Sequence, residues 1–295
     1  MRRIRALSIV IFIIAIVTFG INKWQAWSNS DATGPVIIME QDSVTVSVED
    51  GDEAILSGVS AMDVKDGDVT DSLIVETMSN FIEKGRRTVT IAAFDDDHHV
   101  TKVSREVIYS DYRSPKFTLS APLKFPRNTD GILTYLGAED VLDGSLTSNI
   151  KISTDYNVQV DTAGEYNVIF TVANSAGDVS ELPVTVQVYD ASDENQRPQI
   201  SLSEYIVYTK VGQAIEPWSY VKQIRIGTIE YVRGEDGVLR SEVTDTRGNQ
   251  ETITSEDVTI TNPADFNTPG VYEIMYQYEV ENREPGYVRL VVVVE

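Results

Sequence analysis

Residues 163–178, AGEYNVIFTVANSAGD, decide the fold class of this chain. Apolar and polar residues alternate through EYNVIFTV, which is the period of a half-buried β-strand, and the Asn, Ser, Gly and Asp that follow predict a tight turn. Residues 84–99, KGRRTVTIAAFDDDHH, repeat the same order of glycine, alternating strand and polar turn. A strand and turn that recur in this way predict tandem all-β modules.

Further matches set the limits of the modules. GPVII at 34, SPKFTL at 114 and RPQISL at 197 each open a unit, and AMDVKDGDVT at 61 matches AEDVLDGSLT at 138. Short strands separated by Asp-Gly and Asn- or Ser-rich turns predict β-sandwiches. The sequence therefore predicts three sandwiches, of which the third is longer and carries an insertion. The predicted parts are module one at 34–112, module two at 113–191, a linker at 192–195 and module three at 196–295.

The first 27 residues predict an N-terminal transmembrane helix that follows an Arg-rich cytoplasmic tip. Three arginines precede an uncharged stretch, rich in Ile and Val, that runs from Ala6 to Asn22. This length reaches the lower limit of about 17 residues for a membrane-spanning helix. Because the basic flank comes first, the N-terminus is expected in the cytoplasm, and residues 28–33 would form a stalk that leads to modules outside the cell.

A cleaved signal peptide is the alternative for the same segment. Small residues in Ala26-Trp27-Ser28 have the spacing that signal peptidase prefers. The first interpretation predicts a single-pass protein of the cell membrane, and the second predicts a secreted protein.

The composition excludes several classes of protein. The chain has 46 acidic and 24 basic residues, a net charge of −22, and all its acidic residues follow position 30. Such a surface repels phosphate backbones, so no nucleic-acid partner is expected. Cysteine is absent, which excludes disulfides, thiolate metal sites and a cysteine nucleophile. The modules must therefore be stabilised by packing alone.

The matched motifs carry a family resemblance. A Pro-led first strand, a D-x-x-D-G-x-x-T segment and a G-x-Y strand that ends in an Asn-Ser-Ala-Gly-Asp turn resemble the bacterial Ig-like domains repeated in cell-surface proteins, which also occur in a class of pesticidal crystal proteins. The resemblance covers modules one and two fully and module three mainly at its two ends. It implies Ig-like sandwiches without an inter-sheet disulfide, used as spacer or adhesive modules on exported proteins.

Two tyrosines fit this resemblance. Tyr166 and Tyr272 each follow a glycine by two residues at the start of a late strand. A buried tyrosine at such a position is expected to donate a hydrogen bond from its hydroxyl back to the preceding corner. Module one has Arg87 there, so its corner is expected to differ.

An acidic cluster in module one allows three interpretations: a turn, a calcium site or an acid catalyst. Asp63, Asp66, Asp68 and Asp71 lie within nine residues, and module two keeps only the first two carboxylates, with the equivalents Asp140, Asp143, Ser145 and Ser148. Both modules keep the central Asp-Gly, which is what a turn requires, because Asp accepts hydrogen bonds from nearby amides and Gly adopts positive φ. A turn is therefore predicted. The alternative is a weak calcium site made of the four aspartates of module one, since Ca²⁺ takes oxygen ligands; an acid-catalyst pair would need a cleft.

No catalytic apparatus is visible in the sequence. The only two histidines, His98 and His99, follow Asp95, Asp96 and Asp97. Neighbouring residues of a hairpin point to opposite faces, so a solvated hairpin tip is favoured over a metal site. Ser/His/Asp spacing, a phosphate-binding glycine loop and HExxH are all absent. The sequence predicts no enzyme and no cofactor.

Module three has the features that best suit a partner. EPWSY holds Trp218 and Tyr220, and a predicted extra hairpin carries Arg233, Arg240 and Arg247. These five residues are either a core tryptophan with a decorated loop or a contact surface, because exposed aromatic and Arg side chains on loops often anchor interfaces.

The predicted function is therefore that of a non-catalytic, membrane-anchored Ig-like repeat protein outside a bacterial cell, acting in adhesion, as a spacer or in envelope assembly. Its partner would be a protein or a glycan. Two alternatives remain: a carbohydrate- or cell-wall-binding protein, and an enzyme with an unrecognised site in module three.

Overall fold

The computed structural model describes residues 2–29, 33–153, 158–194, 196–244 and 250–295. An N-terminal helix, α1 (Arg2–Asn29), precedes a chain whose regular elements are almost all β-strands. The chain divides into two compact units, Met1–Tyr112 and Arg113–Glu295. This division falls at the predicted border between modules one and two, whereas modules two and three share a unit.

The structure corrects the expectation for the N-terminal segment. Residues 1–27 were expected to form a transmembrane helix, and α1 is a helix. Among the described residues, however, no helix has the length and apolar character needed to cross a membrane.

Module one has two sheets. One has the strand order β1-β3-β4 and the other β2-β7-β6-β5. Buried Val46, Val59, Ala61, Ile91 and Val107 come from both sheets, so the core lies between them. The elements are β1 (Val36–Met39), β2 (Ser43–Val46), α2 (Asp52–Ile55), β3 (Val59–Asp63), β4 (Gly67–Asp68), a 3₁₀ turn (Thr70–Ser72), β5 (Ile74–Met78), β6 (Arg86–Phe94) and β7 (Val100–Tyr109).

Module two repeats this plan with the sheets β11-β10-β8 and β12-β13-β14-β9. Val168, Phe170 and Val172 alternate with more exposed residues along β13 and lie in the core, as the quoted stretch predicts. The elements are β8 (Lys116–Leu119), β9 (Lys124–Pro126), β10 (Leu136–Asp140), β11 (Gly144–Ser145), a 3₁₀ turn (Thr147–Asn149), β12 (Lys151–Ile152), β13 (Gly164–Ala173), β14 (Val179–Tyr189) and the short α3 (Ala191–Glu194).

Module three has a five-stranded sheet, β15-β17-β18-β19-β20, and a four-stranded sheet, β16-β23-β22-β21. The predicted extra hairpin is β18 and β19, which widen the first sheet. The elements are β15 (Gln199–Leu202), β16 (Ile206–Thr209), a 3₁₀ turn (Pro217–Tyr220), β17 (Val221–Ile226), β18 (Ile229–Arg233), β19 (Leu239–Thr244), β20 (Gln250–Ile253), β21 (Val258–Thr261), β22 (Gly270–Tyr278) and β23 (Gly286–Val294). The all-β part of the predicted fold class is confirmed.

Strand β23 joins modules two and three because both of its faces are apolar. Val288, Leu290 and Val292 belong to the core of module three. The intervening Val291 is only 3% exposed and belongs to the core cluster of module two, and Val293 packs against the same cluster. Alternate residues of a strand point to opposite faces, so the run LVVVV fills two cores at once. Burying one valine contributes about 1.5–3 kcal/mol.

Polar contacts surround this apolar layer. The hydroxyl of Tyr208 accepts a hydrogen bond from the amide of Phe117 at 2.8 Å and donates one to its carbonyl at 3.1 Å. Burial raises the pKa of Tyr208 to about 12, so the hydroxyl keeps its proton and remains a donor at neutral pH.

Glu273 makes the second polar contact. Its carboxylate accepts from the amide of Thr185 at 3.0 Å and from the hydroxyl of Thr185 at 2.6 Å. An ion pair between Arg289 and Glu165 at 2.7 Å makes a third. Directional contacts around an apolar layer fix one relative orientation of the two modules.

Val291→Asp should uncouple and destabilise modules two and three, because it places a carboxylate in an apolar layer where it has no partner. We expect a loss of about 3 kcal/mol or more in the free energy of unfolding, measured by chemical denaturation of the full chain. Val232→Asp is the matched control, because Val232 is 49% exposed in the same module. Equal stability of the two variants would contradict the shared layer.

Candidate functional sites in the acidic turns and at the module junction

The acidic cluster of module one forms a turn held by its own carboxylates. Oδ1 of Asp63 accepts hydrogen bonds from the amides of Lys65 and Asp66 at 2.8 and 2.9 Å. Asp66 accepts from the amide of Asp96 at 2.9 Å and so ties the turn to the hairpin tip between β6 and β7. Gly67 has φ of +77°, a conformation that glycine adopts without strain.

The other two aspartates of the cluster lie just after the turn. Asp68 accepts from the amide of Thr70 at 3.0 Å, and its hydrogen bonds to Thr70 lower the pKa of this exposed carboxyl. Asp71 lies in the following 3₁₀ turn. Asp63, Asp66 and Asp68 thus each accept at least one hydrogen bond from a backbone amide, as aspartates in turns commonly do.

Module two builds the same turn. Oδ1 of Asp140 accepts from the amides of Leu142 and Asp143 at 2.9 and 3.1 Å. Asp143 accepts from the amide of Ser175 at 2.6 Å, and Gly144 has φ of +69°. The predicted turn is therefore present in both modules.

Calcium binding has little geometric support. Within the described ranges, no group of three or more His, Asp or Glu residues is arranged to hold a metal ion. Calcium needs six to eight oxygen ligands, whereas the carboxylates of Asp63 and Asp66 already accept hydrogen bonds from backbone amides. The calcium site of Asp63, Asp66, Asp68 and Asp71 stays a hypothesis.

One residue of this turn region differs in chemistry between the two modules. In module two, the side-chain amide of Asn174 donates to Oδ2 of Asp140 at 3.2 Å. Module one has Asp95 at the matching position, and Oδ2 of Asp63 is buried with no hydrogen-bond partner among the described residues. Asp63 is 5% exposed. An ionised Asp95 cannot donate as Asn174 does, so module one keeps an unsatisfied buried oxygen.

The histidines lie at the tip of the β6–β7 hairpin, as predicted. His98 has φ of +72°, and the matching Gly177 has φ of +82°, so a histidine occupies a position that favours glycine. His99 is not simply solvated. Its amide donates to Asp95 at 2.7 Å, and its Nδ1 lies 2.7 Å from the other oxygen of Asp95. These bonds outweigh the effect of burial and lower the pKa of Asp95.

Both predicted tyrosine corners are confirmed. The hydroxyl of Tyr166 donates to the carbonyl of Thr162 at 2.9 Å, and that of Tyr272 donates to the carbonyl of Thr268 at 3.1 Å. In module one, Arg87 instead donates to the hydroxyl of Tyr109. Its guanidinium lies 5.1 Å from the centre of the Tyr109 ring, which is a cation–π contact.

The aromatic and Arg residues predicted to contact a partner are largely engaged within module three. The indole of Trp218 donates to the carbonyl of Gly237 at 3.0 Å, and Arg233 donates to the carbonyls of Trp218 and Val221 at 2.9 and 3.2 Å. Tyr220 packs against the core. These contacts fold the hairpin tip back on the 3₁₀ turn and give the three side chains a structural role.

Arg240 and Arg247 complete the predicted set. Arg240 makes a bidentate ion pair with Asp236 at 2.6 and 2.8 Å, and this pair lowers the pKa of Asp236. Arg247 lies outside the described residues. A partner-binding role for the five residues stays a prediction.

Sequence reasoning missed the residues that hold the module junction. Tyr208, Glu273 and Arg289 carried no motif, although each contacts module two. One signal was available. The run LVVVV in β23 does not alternate, and a strand without alternation is expected to be buried on both faces.

Comparison with known families supports the Ig-like assignment. Residues 236–285 match the family described as bacterial Ig-like domain (group 3). This part of module three is thus similar to that family, and the predicted resemblance is confirmed. The match begins in the turn between β18 and β19 and ends before β23, so it covers about half of module three, the module whose motifs resemble the family least.

A phage protein is among the proteins to which the chain is similar in sequence. The "uncharacterized 81.3 kDa protein" of Acholeplasma phage L2 is 26% identical over 167 residues, which are 54% of this chain and 22% of that protein. The match thus spans about a fifth of the relative's length.

Solved structures share only general features with the chain. A lipoprotein of Bacteroides thetaiotaomicron is 14% identical over 60% of this chain and 98% of its own, with a TM-score of 0.23. The carbohydrate-binding module CBM51-2, in complex with GlcNAc and with INT domains of Clostridium perfringens ZmpB, is 16% identical over 50% of this chain and 26% of its own, with a TM-score of 0.21. The protocadherin GammaB4 extracellular domain is 15% identical over 90% of this chain and 50% of its own, with a TM-score of 0.20. At these TM-scores the similarities carry no argument about fold or function.

Exchanging Asp and Asn between the modules should shift their stabilities in opposite directions. Asp95→Asn supplies the donor that the buried oxygen of Asp63 lacks, so the melting temperature of module one should rise. Asn174→Asp removes the donor from Asp140 and should cost module two about 1–3 kcal/mol. Both are measured by calorimetry of the full chain at pH 8.

The pH dependence provides the control. The hydrogen bonds with His99 lower the pKa of Asp95. The ionised carboxylate of Asp95 therefore contributes its full stability at pH values above the ordinary Asp pKa, and this contribution is lost as the pH falls through the lowered pKa. Asp95→Asn should remove that loss. A lower melting temperature for Asp95→Asn at pH 8 would show that the His99 pair matters more than the unsatisfied oxygen.

Proposed function

We propose that this chain is an exported, non-catalytic Ig-like protein of a bacterial envelope that acts in adhesion, as a spacer or in assembly. The junction of modules two and three is the observation that supports this best. A spacer or adhesive arm must transmit force without bending, and a junction that buries Val291 and holds Tyr208 and Glu273 in directional bonds provides this stiffness.

The charged and aromatic groups support a structural use. In modules one and two the carboxylates of the turns bond to backbone amides, and in module three Trp218 and Arg233 bond to backbone carbonyls. Catalytic groups, in contrast, need free atoms directed at a substrate. The proposal therefore assigns the protein a binding or scaffolding role.

Export is part of the proposal. The N-terminal segment of residues 1–27 combines a basic start with an apolar stretch, which is the pattern of a targeting segment. The large apolar side chains of α1 between Ile9 and Trp24 are about half to two-thirds exposed. They are therefore accessible to the export machinery. The modules then lie outside the cytoplasm.

A glycan is the second candidate partner, and one observation favours it. A groove of about 260 Å³ is lined by Tyr189 of module two and Tyr287 of module three, together with Glu165 and Arg197. Tyrosines beside polar groups are suited to sugar rings, which have both apolar faces and hydroxyls.

Protease added to intact cells, with any outer barrier removed, should degrade the modules while a cytoplasmic marker protein survives. Mass spectrometry of the native N-terminus distinguishes a mature chain that begins near Asn29 from an uncleaved one. Full protection of residues 34–295 would contradict export.

Partner capture tests the binding role. The full chain serves as bait for envelope proteins and, separately, for cell-wall polysaccharide, and is compared with a Val232→Asp and Arg240→Gln double variant. Both substitutions lie on the outward side of the extra hairpin, where Val232 pairs with Arg240 across β18 and β19.

Deleting the hairpin would be a poor test, because Tyr231 and Leu239 belong to the core. We expect the double variant to fold normally and to lose at least tenfold in captured partner. Undiminished capture would place the binding surface elsewhere, and capture of polysaccharide alone would favour the glycan.

A further inference from the structure

Module one presents an apolar face at the edge of a sheet. Strand β1 is the first strand of the order β1-β3-β4, and its outward Val36 and Ile38 are 59% and 53% exposed. Met62 lies directly opposite Val36 on β3 and is 46% exposed, and Val64 in the adjoining turn is 88% exposed. Val36, Ile38 and Met62 thus share one face of the sheet on an acidic protein, and Val64 follows this face in the turn after β3.

The matching face of module two is polar. Its edge strand β8 presents Lys116 and Thr118 where β1 presents Val36 and Ile38, and Glu139 of β10 lies opposite Lys116 as Met62 lies opposite Val36. The apolar face is therefore a property of module one and not of the shared fold.

The edge of β8 is also closed by a hydrogen-bonding partner. Tyr208 of module three bonds to both the amide and the carbonyl of Phe117. Proteins commonly cover the free backbone groups of an edge strand, because such groups pair readily with other strands. Module two therefore has a covered edge.

The corresponding edge of β1 is open. Ile37 pairs with Ala61 as Phe117 pairs with Ala138. Ala61 uses its amide and carbonyl to bond with Thr70 and Val69, on the side away from β1. In an antiparallel pair, the backbone N–H and C=O groups of two opposed residues point either toward each other or away from each other. Those of Ala61 point away from β1, so those of Ile37 point away from β3, toward the open edge. Among the described residues, no side chain covers them as Tyr208 covers Phe117.

We propose that β1 of module one pairs with β1 of a second copy of this chain, antiparallel and centred on Ile37. The two strands of such a pair are related by two-fold symmetry. The two Ile37 residues then exchange N–H···O hydrogen bonds, and Val36 lies opposite Ile38 of the second copy. The strand is thus complementary to itself, and the pairing extends the three-stranded sheet into a six-stranded one with a continuous apolar stripe.

The size of the surface makes this a weak contact. Four partly exposed side chains and one strand edge provide a few hundred Å² per copy, compared with about 800 Å² per partner in a standard stable interface. The net charge of −22 adds repulsion between copies. Salt screens this repulsion, so the association strengthens as the ionic strength rises.

Cysteine crosslinking of the full chain tests this pairing, because the chain contains no cysteine of its own. Val36→Cys combined with Ile38→Cys places two thiols where the Cα atoms of facing residues would be about 4.5 Å apart, within the range of a disulfide. The matched control is Lys116→Cys combined with Thr118→Cys, at the covered edge of module two. Dimers are read on a non-reducing gel after mild oxidation.

We expect a disulfide-linked dimer for the module-one pair, with a yield at least fivefold above that of the control and rising between 50 and 500 mM salt. Introducing Met62→Lys into the module-one pair should lower the yield, since it places a charge in the stripe. Equal yields at the two edges would show that another part of the chain brings the copies together. No dimer at either edge would also overturn the proposal.

Discussion

The architecture of the second unit depends on the burial of β23 on both faces. Val288, Leu290 and Val292 fill one core while Val291 enters another, so a single strand belongs to two sandwiches. The surrounding contacts follow from this placement, because Tyr208 on β16 and Glu273 on β22 flank β23 in the same sheet. A fixed pair of modules is what the proposed spacer or adhesive role requires.

The acidic turns show how one geometry tolerates different chemistry. Asp63 of module one and Asp140 of module two each accept hydrogen bonds from the amides two and three residues further along the chain. The tip of the neighbouring hairpin holds a residue with positive φ, which is His98 in module one and Gly177 in module two. The second oxygen of the aspartate is satisfied only where Asn174 supplies a donor. Module one thus retains a local cost that module two avoids, and charge alone does not make the cluster a metal site.

Most of the fold could be predicted from local sequence patterns, whereas the packing of one module against the next could not. The alternation in β13, the Asp-Gly turns and the hydroxyl bonds of Tyr166 and Tyr272 depend on neighbours in sequence. The junction depends on which outward faces meet, and no local pattern identifies Thr185 as the partner of Glu273. Arg233 suggested an exposed contact, yet it binds Trp218 because the hairpin folds back, a contact that spacing cannot reveal.

A distance measurement across the junction shows whether modules two and three keep one fixed orientation. Spin labels on cysteines introduced at exposed Ser148 of module two and exposed Val232 of module three would report the separation of the modules by pulsed electron paramagnetic resonance in the full chain. We expect one narrow distance distribution, because the shared layer and its polar contacts permit a single orientation. A broad distribution, or two populations, would show that the modules move independently and would contradict the rigid junction.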